Sequence, residues 1–244
     1  MEKIKSLQKI LMPIAKIISP FQEKFGIPHQ AGLSPSAKGR VEMLPDYQDK
    51  RAFLGIEQFT HLWLVFGFHL SDSTKGFPVV RPPRLGGNKH RGVFATRSPF
   101  RPNGLGLSLV KFDGFDSSSE SLSLKISGLD LLNKTPIFDI KPYLEKSDRP
   151  ADAKSGIFDG GEISNLRVLF SDDVEKTINK MPDALNFKEL IREILRLDPR
   201  PAYKSDFDDP KIYFIKVNSF EVCWQVEANT AMVKKITEIS NEED

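Results

Sequence analysis

GVFATRSPFRPNGLGLSLVKFDGF, residues 92–115, places two apolar runs around a bend that holds Arg97, Arg101, two prolines and an Asn-Gly pair. GVFAT and LGLSLVKFDGF read as β-strands, because both are rich in residues that suit a pleated, half-buried surface and both are bounded by breakers. The bend between them has the character of a device that presents cations to an anion or polar ligand at a strand end. Further out, FTHLWLVFGFHL (59–70) is a nearly continuous apolar and aromatic run, which predicts a strand buried on both faces. SLSLKISGLDLL (121–132) alternates, with Leu122, Leu124, Ile126 and Leu129 on or near one face. NKTP (133–136) reads as a turn and IFDIKPY (137–143) as another strand. MPIAKIIS (12–19) reads as a first strand, and PFQEKFGIPHQAGLSPSAKGR (20–40) as turn-rich chain. Many short strands without long helical stretches predict a mainly β fold, with a barrel or sandwich over residues 1–150.

The pattern then changes. EKSDRPADAKSGIFDGGEIS (145–164) is polar and full of breakers, so residues 151–165 are expected to be a linker. Beyond it, residues 166–244 read as a small α+β domain. NLRVLF forms a strand, and SDDVEKTINKM a helix with Ser171 as N-cap and acids in its first turn. FKELIREILRL lines Leu190, Ile191, Ile194, Leu195 and Leu197 along one helical face. KIYFIKVNSFEVCWQVE is a hairpin turning at or near Asn218-Ser219.

The 244-residue chain has a formal net charge of +2, which hides an asymmetry. No acidic residue lies between Asp72 and Asp113, where eight of the 35 basic residues fall, leaving 27 against 33 acids elsewhere, a net of −6. Five prolines and six glycines in the same span suggest a shaped basic loop rather than a solvated one, and a polyanionic partner or anionic ligand. No apolar run approaches the roughly 18 residues of a membrane span, and the N-terminus lacks the apolar core and cleavage site of a signal peptide. One cysteine, Cys223, excludes an intrachain disulfide, and the four histidines show no metal-ligand spacing. The expectation is a cytoplasmic, metal-free protein.

Four stretches carry candidate chemistry. His61 and His69, evenly spaced, would share one face of a strand. VVRPPRLGGNKHRG (79–92) supplies cations on a proline-stiffened loop. RSPFRPNGLG contains Gly104-x-Gly106 but lacks the third glycine and the strand–helix context of a dinucleotide site. LDLLNKTPIFDIKPY brings Asp130, Asp139, Lys141 and Tyr143 next to a turn.

Read in order, FQEKFGIPHQAGL, FTHLWLVFGFH, VRPPRLGGNKHRGVFATRSPFRPNGLGLSLV, SGLDLLNKTPIFDIKPY and DPRPAYK closely resemble the TrmO (YaeB) family over nearly the whole chain. The resemblance implies a small β-barrel methyltransferase domain followed by a C-terminal domain that helps hold tRNA, in a homodimer with its cofactor pocket near the subunit interface. It implies S-adenosylmethionine as cofactor and, as reaction, methylation of N6 of N6-threonylcarbamoyladenosine beside the anticodon of threonine tRNAs. The family's cofactor-binding positions fall on Pro28, His29, Gln30, His69, Leu70, Arg97 and Leu109, and on the turn Asp130, Leu131, Leu132 and Asn133. The chain departs from the family where arginine often replaces His29, Asp-Gly replaces Asn133-Lys134, and Pro-Ile replaces Gly104-Leu105.

Asp139, His69 and Tyr143 are the candidates for a base that takes the N6 proton, and all three stay open. Arg101 and Arg97, with Arg84 or Lys89 nearby, are expected to face carboxylate or phosphate groups, and Lys141 is a further tRNA-facing cation. RLDPRPAYK (196–204) sets Arg200, Tyr203 and Lys204 around a rigid bend, a combination suited to phosphate contact and stacking. The alternative is a non-catalytic RNA-binding barrel.

Overall fold

The computed structural model describes residues 10–71, 77–82, 90–156, 165–201 and 209–239. Six antiparallel strands close a barrel in the order β1 (Ala15–Ile18), β2 (Lys38–Met43), β7 (Ser123–Ser127), β6 (Leu105–Phe115), β3 (His61–Gly67) and β8 (Pro136–Pro142). Closure leaves no free edge and one interior, which explains the burial pattern of β3. Leu62, Leu64 and Phe66 point inward and are buried, while Trp63 and Val65 are only half-covered outside. The run 59–70 is therefore not a strand buried on both faces. Its outer aromatic has a different use: Trp63 Nε1 donates to Asp148 Oδ2 at 2.8 Å, docking the one-turn helix α1 (Glu145–Asp148).

Two other expectations are corrected here. GVFAT is not a strand: only Arg91–Gly92 (β5) pairs, with Val79–Val80 (β4), and Val93–Ala95 coils into a single tight turn. His61 and His69 do not share a face, because β3 ends at Gly67 and His69 N donates to Gly67 O at 2.9 Å in a turn. Three strands carry no strand pattern in the sequence, one of them being Val79–Val80 on the proline-stiffened loop. KGRVEM (38–43) was hidden by its lysine, arginine and glutamate, and TAMVKKITE (230–238) by its adjacent lysines.

The glycines of the opening stretch have structural duties. Arg101-Pro102-Asn103-Gly104 is a tight turn closed by Gly104 N to Arg101 O (3.1 Å), with Asn103 and Gly104 at φ of 63° and 56°. Gly106 lies opposite Phe66 across the β3–β6 pair, and a Cβ there would sit 2.2 Å from the far edge of the Phe66 ring. The ring occupies the space that a side chain at 106 would need. Gly106→Ala is therefore expected to push Phe66 off its seat at a cost of about 1–3 kcal/mol. A fall in chemical-denaturation midpoint checks this, and an unchanged midpoint would show that the ring can move freely.

The C-terminal portion is a four-stranded sheet in the order β10 (Asp209–Val217), β11 (Phe220–Glu227), β12 (Thr230–Glu238) and β9 (Arg167–Phe170), with β9 parallel to β12. Helices α2 (Asp172–Ile178) and α3 (Ala184–Arg196) accompany it. Ser171 caps α2 as expected, accepting from Val174 N, and Phe187, Leu190, Ile191, Ile194 and Leu195 form the buried face of α3. The hairpin turns at Asn218, with φ of 53°. Barrel and sheet are not merely strung together. Phe21 bridges to Val217, Asn218 N donates to Pro20 O at 2.7 Å, and Glu193 of α3 accepts from Ser36 N and Oγ. One continuous apolar core runs through both.

Candidate functional site

A cavity of about 1,060 Å³ opens at the end of the barrel where β3 and β8 give way to loops. Its aromatic wall is Phe66, Phe68, Phe77 and Phe100, with Phe66 and Phe68 edge-to-face at 4.9 Å and Phe77 and Phe100 likewise at 5.9 Å. The β4–β5 hairpin contributes Val79, Val80, Arg81, Pro82 and His90. Sequence pattern does not mark these four phenylalanines, because an aromatic in an apolar run looks the same whether it packs a core or lines a cavity.

The structure gathers most of the anticipated cofactor positions here. Pro28, His29 and Gln30 come from the turn-rich segment between β1 and β2, His69 and Leu70 follow β3, Arg97 belongs to the bend, and Asp130, Leu131 and Leu132 precede β8. Two positions lie outside the lining. Leu109 stands half-buried on β6 opposite Trp63. Asn133 accepts from Ser19 N at 3.2 Å and donates to Gln22 Oε1 at 3.1 Å, so it holds the turn that carries Asp130. Lys134 takes the left-handed backbone (φ 64°) for which glycine would be the easier residue.

Asp130 is the chemical focus of the cavity. It accepts a 2.6 Å hydrogen bond from Ser108 Oγ, and burial pushes its carboxyl above the usual carboxylate range against the opposing pull of that bond, of backbone N–H groups and of Arg97. Arg97 itself donates to Gln30 Oε1. A largely desolvated carboxylate at the edge of an apolar cavity is suited to a cationic ligand group.

His69 is held below the ordinary histidine range, first by partial burial and then by the Lys24 ammonium. Lys24 in turn donates to Leu70 O at 2.5 Å. The imidazole is thus neutral near pH 7 and able to accept a proton. The other two candidate bases stand away from the cavity lining. Asp139 pairs with Lys141 at 2.9 Å on the exposed part of β8, which also occupies Lys141. Tyr143 packs edge-on to His61 beyond the end of β8.

The basic residues divide similarly. Arg101 turns back onto its own loop, Nη1 donating to Thr96 O at 3.1 Å and Ser98 O at 3.5 Å, and it does not line the cavity. The bend therefore uses one arginine to hold its shape and presents the other. Arg200 corrects the expectation of a phosphate contact: its side chain is 0% exposed and forks onto Asp198 through Nε and Nη2, both at 2.8 Å. A buried, hydrogen-bonded pair of this kind costs several kcal/mol to break, which commits Arg200 to the local fold. Arg84, Lys89, Tyr203 and Lys204 lie outside the described residues. Among the described residues, no cluster of three or more His, Cys, Asp or Glu side chains is placed to hold a metal, and no helix is long and apolar enough to cross a membrane.

Residues 16–149 match the family model of the tRNA-methyltransferase O N-terminal domain, and residues 163–239 match that of the TrmO C-terminal domain. The chain is 42% identical over 216 residues to the tRNA (adenine(37)-N6)-methyltransferase of Escherichia coli (strain K12), covering 87% of this chain and 91% of that protein. It is 42% identical over 214 residues to a putative S-adenosylmethionine-dependent methyltransferase, RcsF, of Pseudomonas aeruginosa, covering 87% of this chain and 90% of the relative. A crystal structure of TrmO from Pseudomonas aeruginosa superposes with a TM-score of 0.77 at 33% identity, over 95% of this chain and 99% of the other.

Proposed function

The chain belongs to the TrmO family, and from that premise we propose that it transfers a methyl group from S-adenosylmethionine to N6 of the N6-threonylcarbamoyladenosine beside the anticodon of threonine tRNA. The observation that carries this reading is the cavity itself: five separate chain segments converge around one largely desolvated carboxylate and an aromatic wall. The residues fit the cofactor. A volume near the upper end for small-molecule sites accommodates a nucleoside cofactor with an acceptor base beside it. Asp130 would hold the cationic part of the molecule, while the turn Pro28–Gln30 and Leu131–Leu132 supply backbone polar groups and apolar surface.

When bound, S-adenosylmethionine supplies an electrophilic methyl on a sulfonium sulfur. The protein's part is mostly positioning, since an in-line displacement gains much of its acceleration from alignment of the reacting atoms. The ureido-type N6 has a poorly available lone pair, so removal of its proton accompanies bond formation. His69 takes that proton, being neutral and on the cavity wall. The phenylalanines exclude water and offer faces for the acceptor base to stack on once it is splayed out of the unpaired anticodon loop.

Residues 1–150 hold the cofactor in this scheme, and residues 166–244, beyond the linker 151–165, help hold tRNA. The protein acts as a homodimer in the cytoplasm. Exposed apolar side chains, among them Phe77 of the cavity wall at 52% and Phe94 of the turn Val93–Ala95 at 79%, support a face covered by a second copy.

The test compares threonine tRNA transcripts with and without the threonylcarbamoyl group as acceptors of labelled methyl. Losing the acceptor's carboxylate from a partly desolvated cationic site is expected to cost about 2–5 kcal/mol, roughly 30- to 4,000-fold in kcat/KM. Comparable incorporation into the unmodified transcript would overturn the substrate assignment.

A further inference from the structure

Three of the basic side chains at or near the cavity are already engaged. Lys24 donates to Leu70 O, Arg97 donates to Gln30 and lies in the field of Asp130, and Arg101 is folded onto its own loop. Arg81 differs. It sits on the cavity lining just after β4, its Nε donates to His90 Nε2 at 2.7 Å, and among the described residues it has no acidic partner. The sequence between Asp72 and Asp113 offers none either.

The contact with His90 has a geometric consequence. His90 leads into β5, the strand paired with β4, so the two side chains face each other across the mouth of the hairpin. An imidazole that accepts through Nε2 is neutral, with its proton on Nδ1, and it adds no competing charge. Pinning Nε fixes the plane of the guanidinium and leaves its two Nη groups as a fork whose shape matches a carboxylate. The pair is exposed in the free protein and would be covered by a macromolecular substrate docked at the cavity mouth, whereas Asp130 is already withdrawn from solvent.

We propose that Arg81, oriented by His90, is the specificity-determining receptor for the carboxylate of the substrate's threonylcarbamoyl group. The inference rests on the function proposed above. A carboxylate also occurs on the amino-acid head of S-adenosylmethionine, so the experiment separates the two sources.

Two anticodon stem-loops are used as acceptors, both threonylcarbamoylated, one with a free carboxylate and one with it capped as a methyl amide. Wild-type enzyme is expected to prefer the free acid by about 30-fold or more in kcat/KM. Arg81→Ala should lose that preference, falling on the free acid to the rate that wild type shows on the capped loop. Arg81→Lys, which keeps the charge but not the fork, should retain an intermediate preference of about 5- to 10-fold. The calorimetric Kd for S-adenosylmethionine should stay within about twofold of wild type in both variants, since their cofactor contacts are unchanged. An Arg81→Ala enzyme that still discriminates overturns the proposal. So does a raised cofactor Kd with discrimination intact, which would assign Arg81 to the cofactor's carboxylate. If wild type itself fails on the free-acid loop, the proposed function falls and takes this inference with it; discrimination that survives Arg81→Ala removes only the inference.

Discussion

Asp130→Asn is expected to weaken S-adenosylmethionine binding by roughly 30- to 4,000-fold, the about 2–5 kcal/mol typical of removing one member of a desolvated charge pair. The side chain keeps its size and can still accept from Ser108, so the fold should survive and the loss should fall on binding. The pH dependence has a definite sign. Burial raises the Asp130 carboxyl above the usual range, so at intermediate pH the free protein holds a proton there that a carboxylate of ordinary acidity would have lost. A cationic ligand selects the ionised form, so binding expels that proton. Affinity should therefore be full at high pH and decline as pH falls through the raised value, earlier than an unperturbed aspartate would allow. Calorimetry in buffers of different ionisation enthalpy reads both the Kd and the released proton. A flat profile with no proton release, or an Asp130→Asn protein that binds as wild type does, would show that the carboxylate does not meet the cofactor's charge.

His69→Ala carries the second large effect, a fall in kcat of about 10²- to 10⁴-fold, the usual contribution of a positioned general base. The cofactor Kd should move far less than kcat. His69 is held below the ordinary range by burial and by Lys24, so its proton-accepting form persists at lower pH than a free histidine's. Wild-type kcat/KM should accordingly stay level from neutral pH downward and fall only below the depressed value. Asp139→Asn and Tyr143→Phe serve as comparisons, because both residues stand off the cavity lining. A large loss of kcat in either, with His69→Ala near wild type at saturating cofactor, would transfer the role of base to that residue.

Alternation and breakers mark β1, β6, β7 and β8, a nearly continuous apolar run marks β3, and turn chemistry marks the Ser171 cap and the Asn218 hairpin, because each is a local property of the chain. Resemblance by motif carried the family and the approximate membership of the cavity. Lys38–Met43 has no strand signature because only Val41 and Met43 of that strand are buried, a pattern that becomes a barrel stave only once its neighbours β1 and β7 exist.

Burial and pairing are properties of the closed barrel, and they decided the chemistry. Asp130 and Asp139 look alike in LDLLNKTPIFDIKPY, yet one is withdrawn from solvent against Ser108 and the other is neutralised by Lys141 on an exposed strand. Arg97 and Arg101 are equal in RSPFRPN, but the turn at Pro102–Asn103 sends one guanidinium toward Gln30 and the other back to Thr96. Arg200 reads as a phosphate ligand in DPRP until the fold seals it against Asp198. Residue identity and period determine which segments can form strands, turns and caps, because those interactions span a few residues. Which carboxylate is desolvated and which arginine is left to meet a ligand depend on partners far away in the chain, and only the assembled barrel brings them within reach.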